Sequence, residues 1–98
     1  MCMFILILMY QKPLSEVEKF LAEHKTYLDK YYSTKNFIAS GRQNPRVGGV
    51  ILCKAESKEE ILSIIKEDPF FVNDIAKYEI IEFEPTKYLA EFKGVLSL

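Results

Sequence analysis

Few residues in this 98-residue chain are equipped for chemistry, so each can be weighed by itself. The single histidine, His24, falls within an apolar series Leu14, Val17, Leu21, His24, Leu28 and Tyr31, spaced by three and four. That spacing marks the inward face of a helix. An imidazole there is a general acid or base, or a core histidine satisfied by one hydrogen bond. Asp68 follows Glu67 at the expected end of a second helix, where the macrodipole disfavours a carboxylate. A residue that breaks a local rule marks a functional position, unless Asp68 serves only to turn the chain into Pro69. Both arginines, Arg42 and Arg46, lie within Gly41–Gly49, and every other basic residue is lysine. Guanidinium groups grip carboxylates in bidentate fashion, and the glycines would let main-chain N–H groups approach a ligand. The alternative is a solvated hairpin loop. Cys53 reads as a small core residue of a strand, with no base placed near it by sequence. Of the tyrosines Tyr27, Tyr31 and Tyr32, only Tyr27, one turn from His24, is a candidate to line a pocket.

The elements that must position these residues follow from pattern. Met3–Tyr10 is apolar at every position and is stopped by Pro13, as a strand buried on both faces would be. Ser15 with Glu18 fits a capping box opening a helix to about Ser33. Phe37–Ser40 and Val50–Ala55 read as strands flanking the loop Gly41–Gly49. Ser57 with Glu60 fits another capping box, opening a helix with Ile61, Leu62, Ile64 and Ile65 inward that ends near Glu67, because Pro69 disfavours helix at Asp68. Tyr78–Phe83 is the last strand, closed by Pro85. Thr86–Lys93 has room for one or two helical turns ahead of Gly94, within a C-terminal extension, residues 86–98.

The order βαββαβ in one domain, residues 1–98, predicts an α+β ferredoxin-like sandwich: four antiparallel strands in spatial order 4-1-3-2, both helices on one face. The first strand is then central. Its second apolar face needs a cover, and the simplest is a second copy of the same sheet, giving a two-fold homodimer. The topology also gathers Gln11–Leu14, Gly41–Gly49 and Asp68–Phe70 at one end of the sheet, the end from which the first helix starts.

Composition narrows the function. The chain is 49% hydrophobic and 28% charged, which excludes a disordered or low-complexity chain. Thirteen basic against fourteen acidic residues leave a net charge of −1, so nucleic acid is not an expected partner. The apolar run Met1–Tyr10 is too short to cross a membrane, which takes about 20 residues as a helix. It also lacks the basic start and small-residue cleavage site of a signal peptide. Two cysteines and one histidine provide no zinc site of the usual kind. Cys2 and Cys53 are expected as free thiols in a reducing cytoplasm.

Several of these residues together carry a family resemblance: a hydrophobic first strand, Glu23-His24 with Leu28, Ser40-Gly41, Gly48-Gly49-Val50 and Glu67-Asp68-Pro69-Phe70. The chain resembles the YCII-related family from Met3 to about Lys87. The resemblance implies a ferredoxin-like fold of the dimeric α/β-barrel superfamily. It implies His24 and Asp68 as the catalytic pair of a pocket. The residues expected to bind substrate there are Ser40, Gly41, Arg42, Arg46 and Phe70. Three positions depart from the family pattern. Many members have Gly-Pro at Gly41-Arg42, many have Ala-Gly at Asn73-Asp74, and an arginine often present before the histidine is missing. Arg42 or Arg46 would compensate in holding an anion.

The expected function is therefore acid/base chemistry, by isomerisation, elimination or hydrolysis, on a small anionic organic substrate, with neither cofactor nor metal. The alternative is a non-catalytic small-molecule binding or accessory domain with the same pocket.

Overall fold

The computed structural model describes residues 2–98; Met1, the first residue of the apolar run, lies outside the described residues. Strand β1 (Cys2–Tyr10) leads to helix α1 (Leu14–Ser33), then β2 (Phe37–Arg42) and β3 (Gly48–Ala55). Helix α2 (Lys58–Ile65), the single turn α3 (Pro69–Val72) and β4 (Ala76–Phe83) follow. A 3₁₀ turn, Ala90–Phe92, and α4 (Lys93–Leu96) close the chain. The sheet order is β2-β3-β1-β4, antiparallel throughout, with β1 central. This is the ferredoxin-like sandwich that the element order predicts. Among the described residues no helix is long and apolar enough to cross a membrane.

The period-2 alternation of the strands divides the sheet into two faces. Phe4, Leu6 and Leu8 of β1 join Ile51, Cys53 and Ala55 of β3 beneath Val17, Tyr27 and Tyr31 of α1 and Ile61, Ile64 and Ile65 of α2. Leu62 points outward instead, because the inward stripe of so short a helix is already filled by its three isoleucines. Met9, Val50 and Ile81 are exposed on the opposite face. One end of that face is covered by the chain itself. The Lys54 ammonium donates to the main-chain oxygens of Val95 and Leu98, both at 2.8 Å, and Lys54 and its neighbour Met3 are buried. The C-terminal helical turns begin at Ala90, inside Thr86–Lys93, but run on through Gly94 to Leu96, with Lys54 taking up carbonyls that a helix end leaves free.

The turn-rich segment also differs from expectation. Gly41 pairs with Val50 and Arg42 with Gly49, so the strands run on and only residues 43–47 form the loop. Gly48 permits this. A Cβ at that position would lie 1.7 Å from the Leu8 carbonyl oxygen, so the close approach to β1 requires glycine.

The Ser15–Glu18 capping box does not form. Helix α1 starts two residues earlier, at Leu14 with Pro13 as its N-cap, and the Pro13 carbonyl accepts the first helical N–H groups. The second box forms by half. Ser57 Oγ accepts from the Glu60 N–H at 3.2 Å, but the Glu60 carboxylate takes the N–H of Glu56 at 2.8 Å. Both cysteines are free.

Gly48→Ala should lower stability by about 1–3 kcal/mol, since the added methyl meets backbone that cannot give way. Gly41→Ala, whose Cβ meets nothing within 4 Å, should stay within about 0.5 kcal/mol of the parent. Urea unfolding of the two variants checks the contrast; equal effects would contradict it.

Candidate active site

A cavity of about 420 Å³ opens between α1 and the β2–β3 half of the sheet. Ser40, Arg42, Gly49 and Ile51 form the sheet wall, and Glu18, Leu21, His24, Lys25 and Leu28 form the helix wall. Tyr10 from the end of β1, Arg46 from the loop and Phe70 from α3 complete it. The apolar stripe of α1 is thereby divided. Val17, Tyr27 and Tyr31 enter the core, whereas Leu21 and Leu28 are only partly buried because they line the cavity.

His24 is the hinge of the site. Its Nδ1 lies 2.8 Å from Asp68 Oδ1, and its ring stacks on Phe70 with centroids 4.0 Å apart and planes within 2°. Asp68 is 0% exposed and accepts from three donors: His24 Nδ1–H, the Phe70 N–H at 2.9 Å and the Tyr78 hydroxyl. A buried carboxylate needs such a set of partners. Because Asp68 accepts only, the ring proton is placed on Nδ1, and Nε2 is the free nitrogen of the neutral ring. Among the described residues no group binds Nε2, and it is not sealed from solvent; it opens onto the cavity.

The position of Asp68 differs from the sequence expectation. It is not the last residue of α2, which ends at Ile65, but the N-cap of α3, accepting from the Phe70 N–H. A carboxylate is favoured at an N-cap. This position also brings Asp68 to the level of His24. His24 lies roughly 15 Å down its helix at about 1.5 Å per residue, and the chain beyond α2 descends to meet it, with α3 packed on α1. Asp68 does not line the cavity, so within the pair only His24 faces it.

Three cationic side chains, Lys25, Arg42 and Arg46, line the cavity against one carboxylate, Glu18. Arg46 Nη1 pairs with Glu18 Oε1 at 2.9 Å, and its guanidinium also lies beside the Tyr10 hydroxyl. Glu18 is thus a cavity residue rather than a cap. Arg42 and Lys25 are exposed, and among the described residues their side chains make no hydrogen bond or ion pair. Ser40 is held by a 2.7 Å hydrogen bond to the Tyr32 hydroxyl. Among the described residues no three His, Cys, Asp or Glu side chains gather as metal ligands.

Other residues fall outside the cavity or were not found by sequence. Tyr27 is a core residue whose hydroxyl donates to the Ile64 carbonyl at 2.9 Å, not a pocket wall. Burial pushes the Cys53 thiol up to about 12, which removes it as a nucleophile. Tyr78, Tyr10 and Glu18 are additions to the site. The signal for Tyr78 was its register: opposite Leu8, it faces the helices, where a hydroxyl must find a partner.

A model of the YCII-related domain family matches residues 3–84. Among solved structures, the chain is similar to 5-chloro-2-hydroxyhydroquinone dehydrochlorinase from Burkholderia phenoliruptrix in complex with 2,5-dihydroxybenzoquinone. The TM-score is 0.72 at 17% identity, covering 84% of this chain and 93% of that one. At that identity the likeness shows a shared fold. No curated protein matches the chain by sequence.

Burial and then the nearby Asp68 charge raise the Tyr27 and Tyr78 hydroxyls well above their ordinary 10.0, and burial raises Cys53 above 9.0. The folded chain therefore keeps protons that the unfolded chain releases. This stability is fully present below about pH 9 and is lost as pH rises beyond it. Urea midpoints at about pH 8 and pH 10.5 should show the loss, and Tyr78→Phe should flatten it. A midpoint unchanged across that window would contradict the assignment.

Proposed function

This chain belongs to the YCII-related family, and we propose that it is a small-molecule enzyme working by acid/base chemistry through His24. One observation carries the reading: the Nδ1 edge of the ring is tied to buried Asp68 at 2.8 Å while Nε2 opens onto a cavity rich in cations. In this reading Nε2 takes a proton from an acidic C–H or O–H of the substrate. The imidazolium that forms keeps its Nδ1–H on Asp68. The electron pair left on the substrate collects on an oxygen held by Arg42, with Lys25 and Arg46 adding to the field. That pair then expels a leaving group, or a carbon elsewhere on the substrate takes the proton back from Nε2. These steps give elimination, in which the Nε2 proton passes to the leaving group or to water, and isomerisation. In hydrolysis Nε2 takes its proton from a water, the water oxygen bonds to an electrophilic carbon, and the displaced group leaves with the Nε2 proton.

The cations support a small anionic substrate, and the partly apolar walls of Leu21, Leu28 and Ile51 support an organic ring or chain. The structurally similar dehydrochlorinase, in complex with a planar dihydroxyquinone, makes elimination on an oxygenated ring the first chemistry to try. The two free thiols suit a cytoplasmic enzyme.

We also propose that a second copy covers the open sheet face. Met9, Val50 and Ile81 lie exposed there on three neighbouring strands. Scattering at micromolar concentration should report a dimer, and a monomer would contradict this.

The catalytic reading is tested with 2,5-dihydroxybenzoquinone as binding probe and chlorinated hydroxyhydroquinones as trial substrates. Wild type should bind the probe, and Arg42→Ala should bind it about tenfold more weakly, a loss of the size expected for one charged contact. His24→Ala should stay folded, because only one of three Asp68 donors is lost, yet reduce turnover at least about 100-fold. Turnover unchanged in His24→Ala would overturn the reading. Binding of the probe without turnover of any trial substrate would favour the binding-domain alternative.

A further inference from the structure

Glu67 stands immediately before Asp68, is exposed, and does not line the cavity. It nevertheless makes two of the shortest polar contacts in the molecule. Its Oε1 accepts from Lys30 Nζ at 2.6 Å and its Oε2 from the Tyr31 hydroxyl at 2.6 Å. Both donors belong to α1, the helix that carries His24. Read along α1, the Tyr27 hydroxyl holds the Ile64 carbonyl, Tyr31 and Lys30 hold Glu67, and His24 meets Asp68. Residues 24, 27 and 31 share one face of the helix. That face therefore grips the end of α2 and the turn after it at successive points.

The turn needs such a grip. Main-chain bonds from Glu67 to Ile64 and from Asp68 to Ile65 shape it locally, but they do not tie it to α1. Unlike Asp68, Glu67 is solvent-exposed, and nothing in core packing calls for a carboxylate there. The Lys30 ammonium and the Tyr31 hydroxyl hold that carboxyl below its usual range, with the lysine contact the larger cause. The lysine pair is open to solvent and to salt, so by itself it is weak. The tyrosine is different: Tyr31 is 8% exposed and its ring packs edge-on against Tyr27, so its hydroxyl is a fixed point.

We propose that Glu67 is a positioning residue for the His24–Asp68 pair: by bridging to Tyr31 and Lys30 it fixes the turn that sets Asp68 against Nδ1. The inference rests on the reading of His24 and Asp68 as a working pair. It assigns a role to a side chain that touches neither the ligand cavity nor either member of that pair.

The readout is the ring tautomer of His24 by nitrogen-15 NMR, which needs no substrate. Four variants are compared: Glu67→Ala, Glu67→Gln, Tyr31→Phe and Asp68→Asn. The asparagine in the last has one acceptor oxygen for three donors, so it should give a large shift from the Nδ1–H to the Nε2–H form. Glu67→Ala and Tyr31→Phe should each give a smaller shift in the same direction, at least about threefold in the tautomer ratio, within the range of coupled neighbours. Glu67→Gln keeps an oxygen for the Tyr31 hydroxyl while losing the charge, so it should match wild type. A Gln variant that behaves like the Ala variant would mean that Glu67 acts through its field, and would overturn the proposal. So would wild-type ratios in both Glu67→Ala and Tyr31→Phe. If Asp68→Asn itself leaves the ratio unchanged, the pair reading fails and the positioning role fails with it. If Asp68→Asn shifts the ratio and Glu67→Ala does not, only the positioning role fails. Thermal melts of all four confirm that the folded state is what is measured.

Discussion

A carboxylate without solvent contact sits where three elements meet, and each element supplies it with one donor. Asp68 takes the His24 ring N–H from α1, the Phe70 N–H from α3 and the Tyr78 hydroxyl from β4. Removing such a charge from water costs several kcal/mol unless every lone pair finds a partner. The constraint therefore runs outward from Asp68. Helix α1 must present His24 at the right depth, β4 must place Tyr78 opposite Leu8, and the chain after α2 must turn down before α3 begins. Burial holds Tyr78 in its protonated form, so it remains a donor. The cavity inherits the result, since a ring fixed at Nδ1 has only Nε2 left to meet a ligand.

The same residues that complete the core shape the site. Phe70 is 2% exposed and belongs to the core cluster, yet it supplies the surface on which the His24 ring lies flat. Stacking fixes the ring plane and the hydrogen bond fixes its rotation, so little freedom is left to be lost on binding. Charge is arranged just as asymmetrically. Glu18 neutralises Arg46, whereas Arg42 and Lys25 have no ion-pair partner at the cavity among the described residues. Arg42 is therefore open to an anion with no carboxylate of the described residues competing for it.

Much of the fold was legible because two periods rarely mislead over long stretches. The unbroken apolar run of β1 pointed to a central strand, and the stripe of α1 pointed to a helix through Ser33. The family resemblance and the topology brought His24 and Asp68 toward each other. Asp68 was noticed for the wrong local reason, however: it caps α3, and a four-residue helix leaves almost no periodic trace. The caps were misread where a competing partner won. Glu18 bonds Arg46 across the cavity instead of reaching back to Ser15, a choice made by tertiary contacts that local spacing does not record. Tyr78 and Tyr10 stayed hidden because a tyrosine in a strand reads equally as core, and only the register shows which face its hydroxyl enters. Gly48 was read as turn chemistry, but it serves the approach of β3 to β1.

The central claim is that Asp68 holds the His24 proton on Nδ1 and leaves Nε2 to the ligand. The chain has one histidine, so a nitrogen-15 spectrum contains one pair of imidazole nitrogens. The direct measurement is that spectrum at a pH where the ring is neutral, recorded before and after adding 2,5-dihydroxybenzoquinone. The prediction is a proton on Nδ1 in the free protein, with the Nε2 signal moving on ligand addition and Nδ1 remaining bonded to hydrogen. A neutral ring protonated at Nε2, or an Nε2 signal untouched by a ligand that binds, would contradict it.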